Sequence, residues 1–195
     1  MRVMAPGVSI GTWIVWGIWL AAELSTNIRS KRMRKQNEVT FQQRDRGSGA
    51  VLQIGTYILF FMDYELHINQ IGWVTGFWLI AGQLITLSGV CLRYWALAVL
   101  GRFYTPKVAV QDGQDIVQSG PYRIIRHPAY SGGLLIMFGL GLALNTWLGA
   151  VIAVITLFFI YAYRIAVEEK LLQETFGNVY LDYMRKTSRL IPGVW

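Results

Sequence analysis

The chain has 195 residues, of which 54% are hydrophobic and only 15% charged, with 8 Trp, 10 Tyr, a net charge of +7 and a mean hydropathy of +0.38. So few charges cannot keep so much apolar surface in water, and a bilayer is the natural solvent. No basic patch interleaved with exposed aromatics marks a soluble domain, which argues against nucleic acid as a partner, and the lone Cys91 has no Cys or His at metal-ligand spacing, so no metal is expected.

Charge-free intervals divide the chain. Residues 3–22 and 66–92 each fit one crossing of about 20 helical residues. Residues 47–62 would rise only about 24 Å as a helix, so Asp63 or Glu65 is expected in the headgroup region. His67 reads as a headgroup-level residue. The interval 127–163 is too long for one crossing, and Asn145-Thr146 near its middle reads as a turn between two short helices. Five membrane helices result, and the first is too long and too closely followed by others to be a cleaved signal.

Cations set the orientation, since cytoplasmic loops are enriched in Lys and Arg. The loop 27–46 carries Arg29, Lys31, Arg32, Arg34, Lys35, Arg44 and Arg46 against Glu38 and Asp45. It is expected in the cytoplasm, with the N-terminus outside and the C-terminus inside. The chain reads as a single domain, 1–195. Residues 1–70 hold two spans and the basic loop. Residues 71–195 form the chemistry-bearing portion: span three, a loop over 93–126, a hairpin over 127–163 and a cytoplasmic tail over 164–195.

The loop and the tail hold most of the remaining ionisable residues, and folding the hairpin brings them together. In the loop, Val108, Val110, Ile116 and Val117 surround "QDGQD", whose Asp112-Gly113 is a turn signal. In "GPYRIIRHPAY" (120–130), Pro128 biases His127 towards extended geometry and starts a helix near Ala129 or Tyr130. Free helix N–H groups beside Arg126 and His127 would favour a bound anion; alternatively, Arg123 and Arg126 reach lipid headgroups. In the tail, Arg164 and Glu168 share a helix face, as an ion pair at a membrane boundary would. Leu171, Leu172, Phe176 and Tyr180 continue at helical spacing as an amphipathic helix that Gly177 ends or kinks. Tyr180 and Tyr183 could equally anchor at the interface.

"SGPYRIIRHPAYSGGLL", followed by "EEKLLQETFGNVYLDY" and a late "RLIP", resembles the isoprenylcysteine carboxyl methyltransferases and, more widely, the small membrane methyltransferases that include phospholipid N-methyltransferases. The likeness covers residues 93–192; the first two spans match only in being hydrophobic. It implies an all-α integral membrane enzyme that binds S-adenosylmethionine at its cytoplasmic face, methylates a lipid or prenylated substrate entering from the bilayer, and releases S-adenosylhomocysteine. The family's cofactor contacts fall on Gln114, Asp115, Ile116, Val117, Tyr122, His127, Pro128, Ala129, Tyr130 and Glu168. Its substrate-side arginine falls on Arg164, so Arg164 and Glu168 are the expected catalytic pair. Where the family has a further cofactor-contacting glutamine, Lys107 stands.

A carboxylate acceptor needs little proton chemistry, because a C-terminal carboxyl with a pKa of about 3.3–3.7 is already ionised. His127 therefore reads as a positioning residue rather than a general base. Three alternatives compete with carboxyl methylation. A lipid amine N-methyltransferase would recruit Glu168 or Glu169 as proton acceptor. A membrane sterol or enone reductase would use a nicotinamide cofactor. A lipid-binding protein with no catalytic role would not bind S-adenosylmethionine.

Overall fold

Each apolar stretch carries a helix. The computed structural model describes residues 8–36, 42–43, 48–104, 109–110 and 113–195. Its helices are α1 (Ile10–Gln36), α2 (Ser48–Ile68), α3 (Phe77–Leu100), α4 (Pro128–Ala143), α5 (Trp147–Phe176) and α6 (Asn178–Lys186), with single 3₁₀ turns at Gly101–Phe103 and Gly120–Arg123. Two stretches, Phe77–Phe103 and Trp147–Phe176, are long and apolar enough to cross a membrane by length and composition. The fold is mostly helical. A two-residue antiparallel ladder departs from it: β1 (Gln42–Gln43) pairs with β2 (Ala109–Val110) and ties the first basic segment to the later loop. Lys107, Val108, Asp112 and the remainder of 27–46 beyond Gln36, apart from β1, lie outside the described residues.

Several helices overrun the charges that were expected to bound them. α1 passes Glu23 and continues to Gln36, so the first half of the expected loop 27–46 is helix. α3 passes Arg93 and ends at Leu100, so the loop expected over 93–126 is shorter. The reason is that the two charges pair: Arg93 Nε donates to Glu23 Oε1 at 2.7 Å. A charge with a partner inside the bundle has no need of water and does not end the helix that carries it. Similarly, α2 runs to Ile68. Asp63 and His67, one turn apart on it, are buried against protein, and Glu65 between them is exposed. Both buried residues face the α4–α5 turn: the Asp63 carboxylate lies against Gly149, and His67 Nδ1 donates to the Leu144 carbonyl at 2.7 Å.

That turn occupies Asn145-Thr146. Asn145 takes a positive φ of 61°, and the Thr146 hydroxyl caps α5 by accepting from Gly149 N–H at 3.1 Å. α3 and α4 then pack backbone to backbone. A Cβ on Gly89 would lie 2.8 Å from the Gly132 carbonyl oxygen, and one on Gly139 would lie 2.6 Å from the Gly82 carbonyl oxygen. Residues 82 and 89, like 132 and 139, are two turns apart on one face, so hydrogen in place of a side chain lets the helices touch twice.

The polar end closes on itself. Arg126 N–H donates to the Ser188 carbonyl at 2.8 Å, His127 N–H to the Arg189 carbonyl at 3.0 Å, and Ser188 N–H to the Ile124 carbonyl at 3.1 Å, which forms a parallel bridge between the loop and the tail. Glu169 of α5 bolts this seam from behind. Its Oε1 accepts from Arg126 Nε at 2.8 Å and lies 3.4 Å from His127 Nε2, while its Oε2 accepts from Arg189 Nε at 2.9 Å. Arg126 also donates to the carbonyls of Met184 and Thr187 at the end of α6, where a helix dipole favours a cation.

The close approach of α3 and α4 predicts that Gly89→Ala lowers thermal stability in detergent by about 1–3 kcal/mol or more, the range for overpacking. Gly17→Ala on α1, with nothing within 4 Å of its added methyl, should change little or stabilise; similar losses for both would refute the backbone contact. Glu169→Gln should cost about 3–5 kcal/mol, because it leaves a buried guanidinium uncompensated; Glu169 and Arg126 side chains are only 2% and 7% exposed. Asp182→Asn, which breaks an ion pair whose side chains are 78% and 60% exposed, should cost under about 1 kcal/mol in the same melts.

Candidate active site

Tyr130 stands at the centre of the residues that the sequence nominates. It lies in the first turn of α4, which Pro128 opens at a position where the missing N–H has no helical partner. Its hydroxyl accepts from Arg164 Nε at 2.7 Å and donates to Glu168 Oε2 at 3.0 Å. The expected i,i+4 pair on α5 is thus bridged by a phenol from the neighbouring helix. The Tyr130 ring stacks on Tyr161 at 4.7 Å and on His127 at 5.7 Å between centroids. Tyr161, Arg164 and Glu168 fall at i, i+3 and i+7, so α5 presents one polar stripe to the start of α4. Arg164 is buried, and Glu168 is half-buried.

A wall of phenols surrounds this set. Burial, then the neighbouring Glu168 charge, pushes the Tyr122 phenol well above its ordinary pKa, which places Tyr122 within electrostatic reach of Glu168. The Tyr183 hydroxyl donates to the Tyr122 carbonyl at 2.7 Å, and burial pushes that phenol up as well. Tyr104 follows α3; burial raises its pKa, opposed by the charge of Arg93, and it also feels Glu23 and Arg164. These phenols remain neutral hydrogen-bonding groups at physiological pH. Tyr180 and Tyr183 are buried rather than placed as exposed anchors.

The remaining nominated residues divide. Gln114, Asp115, Ile116 and Val117 form an irregular run leading towards the Gly120–Arg123 turn, with Asp115 exposed and the others half-buried. The Ala129 carbonyl accepts from Arg93 Nη1 at 3.0 Å. His127 turns its Nε2 to Glu169, so it has the carboxylate partner that the sequence alone did not reveal. An anion was expected beside Arg126, His127 and the helix start. The chain supplies its own in Glu169, and the N–H groups of Arg126 and His127 are taken by the tail. Arg126 is therefore a buried tie and not a headgroup contact, whereas Arg123 is exposed.

Sequence reasoning missed Arg93, Glu23, Tyr104 and Tyr161, and it named Glu169 only as an alternative proton acceptor, not as the tie between loop and tail. The available signal was spacing for Tyr161 and the in-helix placement of Glu23 and Arg93, since ionisable residues within apolar helices tend to be functional. Chemically, the site offers a fixed guanidinium for an anionic group and, across one phenol, a carboxylate for a cationic one.

The family model described as Phospholipid methyltransferase matches residues 77–179. Protein-S-isoprenylcysteine O-methyltransferase A of Arabidopsis thaliana is 30% identical over 147 residues, covering 74% of this chain and 71% of that protein. The uncharacterized protein YpbQ of Bacillus subtilis (strain 168) is 26% identical over 166 residues, covering 83% of this chain and 96% of that one. Among solved structures, the eukaryotic intramembrane Ras methyltransferase ICMT (isoprenylcysteine carboxyl methyltransferase) superposes with a TM-score of 0.64 at 19% identity, covering 96% of this chain and 69% of that chain, a likeness of fold. The matched span runs from α3 into α6 and takes in Tyr130, Arg164 and Glu168, and the chain belongs to the phospholipid methyltransferase family, the membrane methyltransferases whose relatives here include the protein-S-isoprenylcysteine O-methyltransferases.

Proposed function

We propose that this protein methylates the carboxylate of a lipid-linked, isoprenylcysteine-like substrate at the cytoplasmic face of its membrane, with S-adenosylmethionine as donor. The observation that carries this reading is the Arg164–Tyr130–Glu168 chain, which holds a cation and an anion on one helix face at the seam of loop and tail. We further assign α1 to α5 as five membrane helices, with the N-terminus outside and the C-terminus in the cytoplasm. In this assignment 1–195 is one domain, in which residues 1–70 carry two spans and residues 71–195 the catalytic portion.

The donor set fits the cofactor. S-adenosylmethionine, when bound, supplies an electrophilic methyl group on a sulfonium and carries an ammonium and a carboxylate. Glu168 suits the positive end, and the Tyr122 ring suits a cationic methyl group. The backbone of Gln114, Asp115, Ile116 and Val117, in no helix or strand, can hydrogen-bond an adenine edge. His127, Pro128 and Ala129 shape the adjoining helix start, with His127 fixed from behind by Glu169. Arg164 orients the acceptor carboxylate through a bidentate pair, and its burial keeps competing water away. No residue need remove a proton, because the acceptor is already ionised near neutral pH. Alignment and desolvation of two reacting groups are the work left to the protein.

The test is incubation of the purified protein with methyl-labelled S-adenosylmethionine and a panel of farnesylcysteine, geranylgeranylcysteine and phosphatidylethanolamine analogues. Label should appear in a base-labile ester; label in a base-stable amine would assign the protein to lipid amine methylation instead. Arg164→Ala should lower ester formation about 100-fold or more, the effect of losing a charge-assisted contact made in the transition state. S-adenosylhomocysteine binding by that variant should stay within about threefold, a change under 1 kcal/mol. His127→Ala should weaken that binding. Equal loss of both properties in both variants would contradict this division of roles.

A further inference from the structure

The mechanism leaves one polar cluster unused: the ion pair between Glu23 of α1 and Arg93 of α3. Arg93 spends its guanidinium in two directions. Nε and Nη2 donate to the two Glu23 carboxylate oxygens at 2.7 and 3.4 Å, and Nη1 donates to the Ala129 carbonyl at 3.0 Å. The Ala129 carbonyl lies one residue before Tyr130, in the first turn of α4. The Gly89–Gly132 contact sits beside this link, and a Cβ on Gly132 would lie 2.9 Å from Arg93 N. Helix separation at this level is therefore set by backbone, and the first turn of α4 is tied on its tail side by the His127 N–H on the Arg189 carbonyl and the Ser131 hydroxyl on the Leu190 carbonyl. A guanidinium anchored from α1 and gripping Ala129 adds a tie on the α3 side.

We propose that the Glu23–Arg93 pair is a positioning device for methyl transfer: Arg93, held in its fork by Glu23, fixes the Ala129 carbonyl and thereby the placement of the Tyr130 hydroxyl between Arg164 and Glu168. The inference rests on the proposed function for the reaction it serves. It extends that function by giving α1 a role, since Glu23 lies outside the matched residues 77–179. An arginine suits the task and a lysine does not: an ammonium is a single point charge and cannot serve a carboxylate and a carbonyl in opposite directions with a fixed fork.

The test uses the full chain in detergent with Glu23→Gln, an isostere that keeps the shape, and Arg93→Lys, which keeps the charge. Competent protein is counted by calorimetric binding of S-adenosylhomocysteine, and kcat is expressed per binding site. In both variants kcat per site should fall about 10- to 100-fold, the consequence of roughly 1 Å of misplacement, while KM for the prenylcysteine analogue stays within about threefold. A second readout is independent of turnover: 3-fluorotyrosine placed at position 130 should shift its ¹⁹F resonance in both variants, and the same label at the exposed Tyr57 should not. A staple with no positioning role would reduce the number of binding sites with unchanged kcat per site, and that result overturns the proposal. An unmoved resonance at position 130 in both variants overturns it too, whatever happens to the rate. If the unsubstituted protein transfers methyl to no acceptor, the proposed function fails instead, and the resonance at position 130 alone decides whether the pair positions Tyr130.

Discussion

The site depends on a buried carboxylate that touches two segments distant in sequence. Glu169 binds Arg126 and His127 from the loop and Arg189 from the tail, and it is 2% exposed. Withdrawing a carboxylate from water costs several kcal/mol, repaid only where every lone pair finds a donor. Here both oxygens have cationic hydrogen-bond donors. The arrangement therefore acts as a registry device: this alignment of loop and tail brings Arg126, His127 and Arg189 to the same charge. It also decides what the next residue does. Successive residues on an α-helix point about 100° apart, so fixing Glu169 towards the seam turns Glu168 to the neighbouring face, where Tyr130 meets it. Two adjacent glutamates acquire opposite duties from helix geometry alone.

Behind this seam, the helices are set by contacts that tolerate no slack. Apolar side chains gain little by leaving lipid for one another, so membrane helices are held by close packing and by interior polar links. α3 and α4 use both. Their glycines bring backbone against backbone at two levels, Thr86 is buried between those levels with its hydroxyl on the Gly82 carbonyl at 2.9 Å, and Arg93 adds a charged link at the polar end. The opposite end is tied differently. There the α4–α5 turn is held by backbone bonds to residues 72–74, with Trp147 N–H donating to the Gly72 carbonyl and Val74 N–H to the Asn145 carbonyl, both at 2.9 Å. The bundle is tied by hydrogen bonds at both ends, and its polar end is the one that carries the ionisable residues of the site.

What could be read in the sequence follows from the range of the physics involved. Local signals were sufficient for the helix at each apolar stretch, for the turn at Asn145-Thr146, for the helix start at Pro128 and for the stop at Gly177, whose φ of 55° ends α5. The shared face of Arg164 and Glu168 is likewise local, a consequence of 3.6 residues per turn. Long-range pairing was not legible. Glu23 and Arg93 bound apolar intervals, as a charge costly in lipid would, and nothing local says that each is the other's partner seventy residues away. Glu169 was overshadowed by Glu168 for the same reason, since its partners lie 43 and 20 residues away in the chain. The ladder between residues 42–43 and 109–110 is two residues long and carries no periodic pattern to detect.

The shared phenol sets a limit on how the site's parts can be treated. Tyr130 accepts from Arg164 and donates to Glu168 through one oxygen. That oxygen can do both only as a neutral hydroxyl, and its single proton is committed to the carboxylate. Arg164 and Glu168 are therefore not independent functional groups with separate energies. Moving either redirects the hydroxyl and changes the other's hydrogen bonding, the condition under which single-residue effects fail to add. The same geometry argues against assigning His127 to proton transfer. Its ring faces Tyr130 by stacking and its Nε2 is turned to Glu169, away from the bridge. A group held on one side by stacking and on the other by a carboxylate is fixed in place, which suits positioning rather than proton transfer.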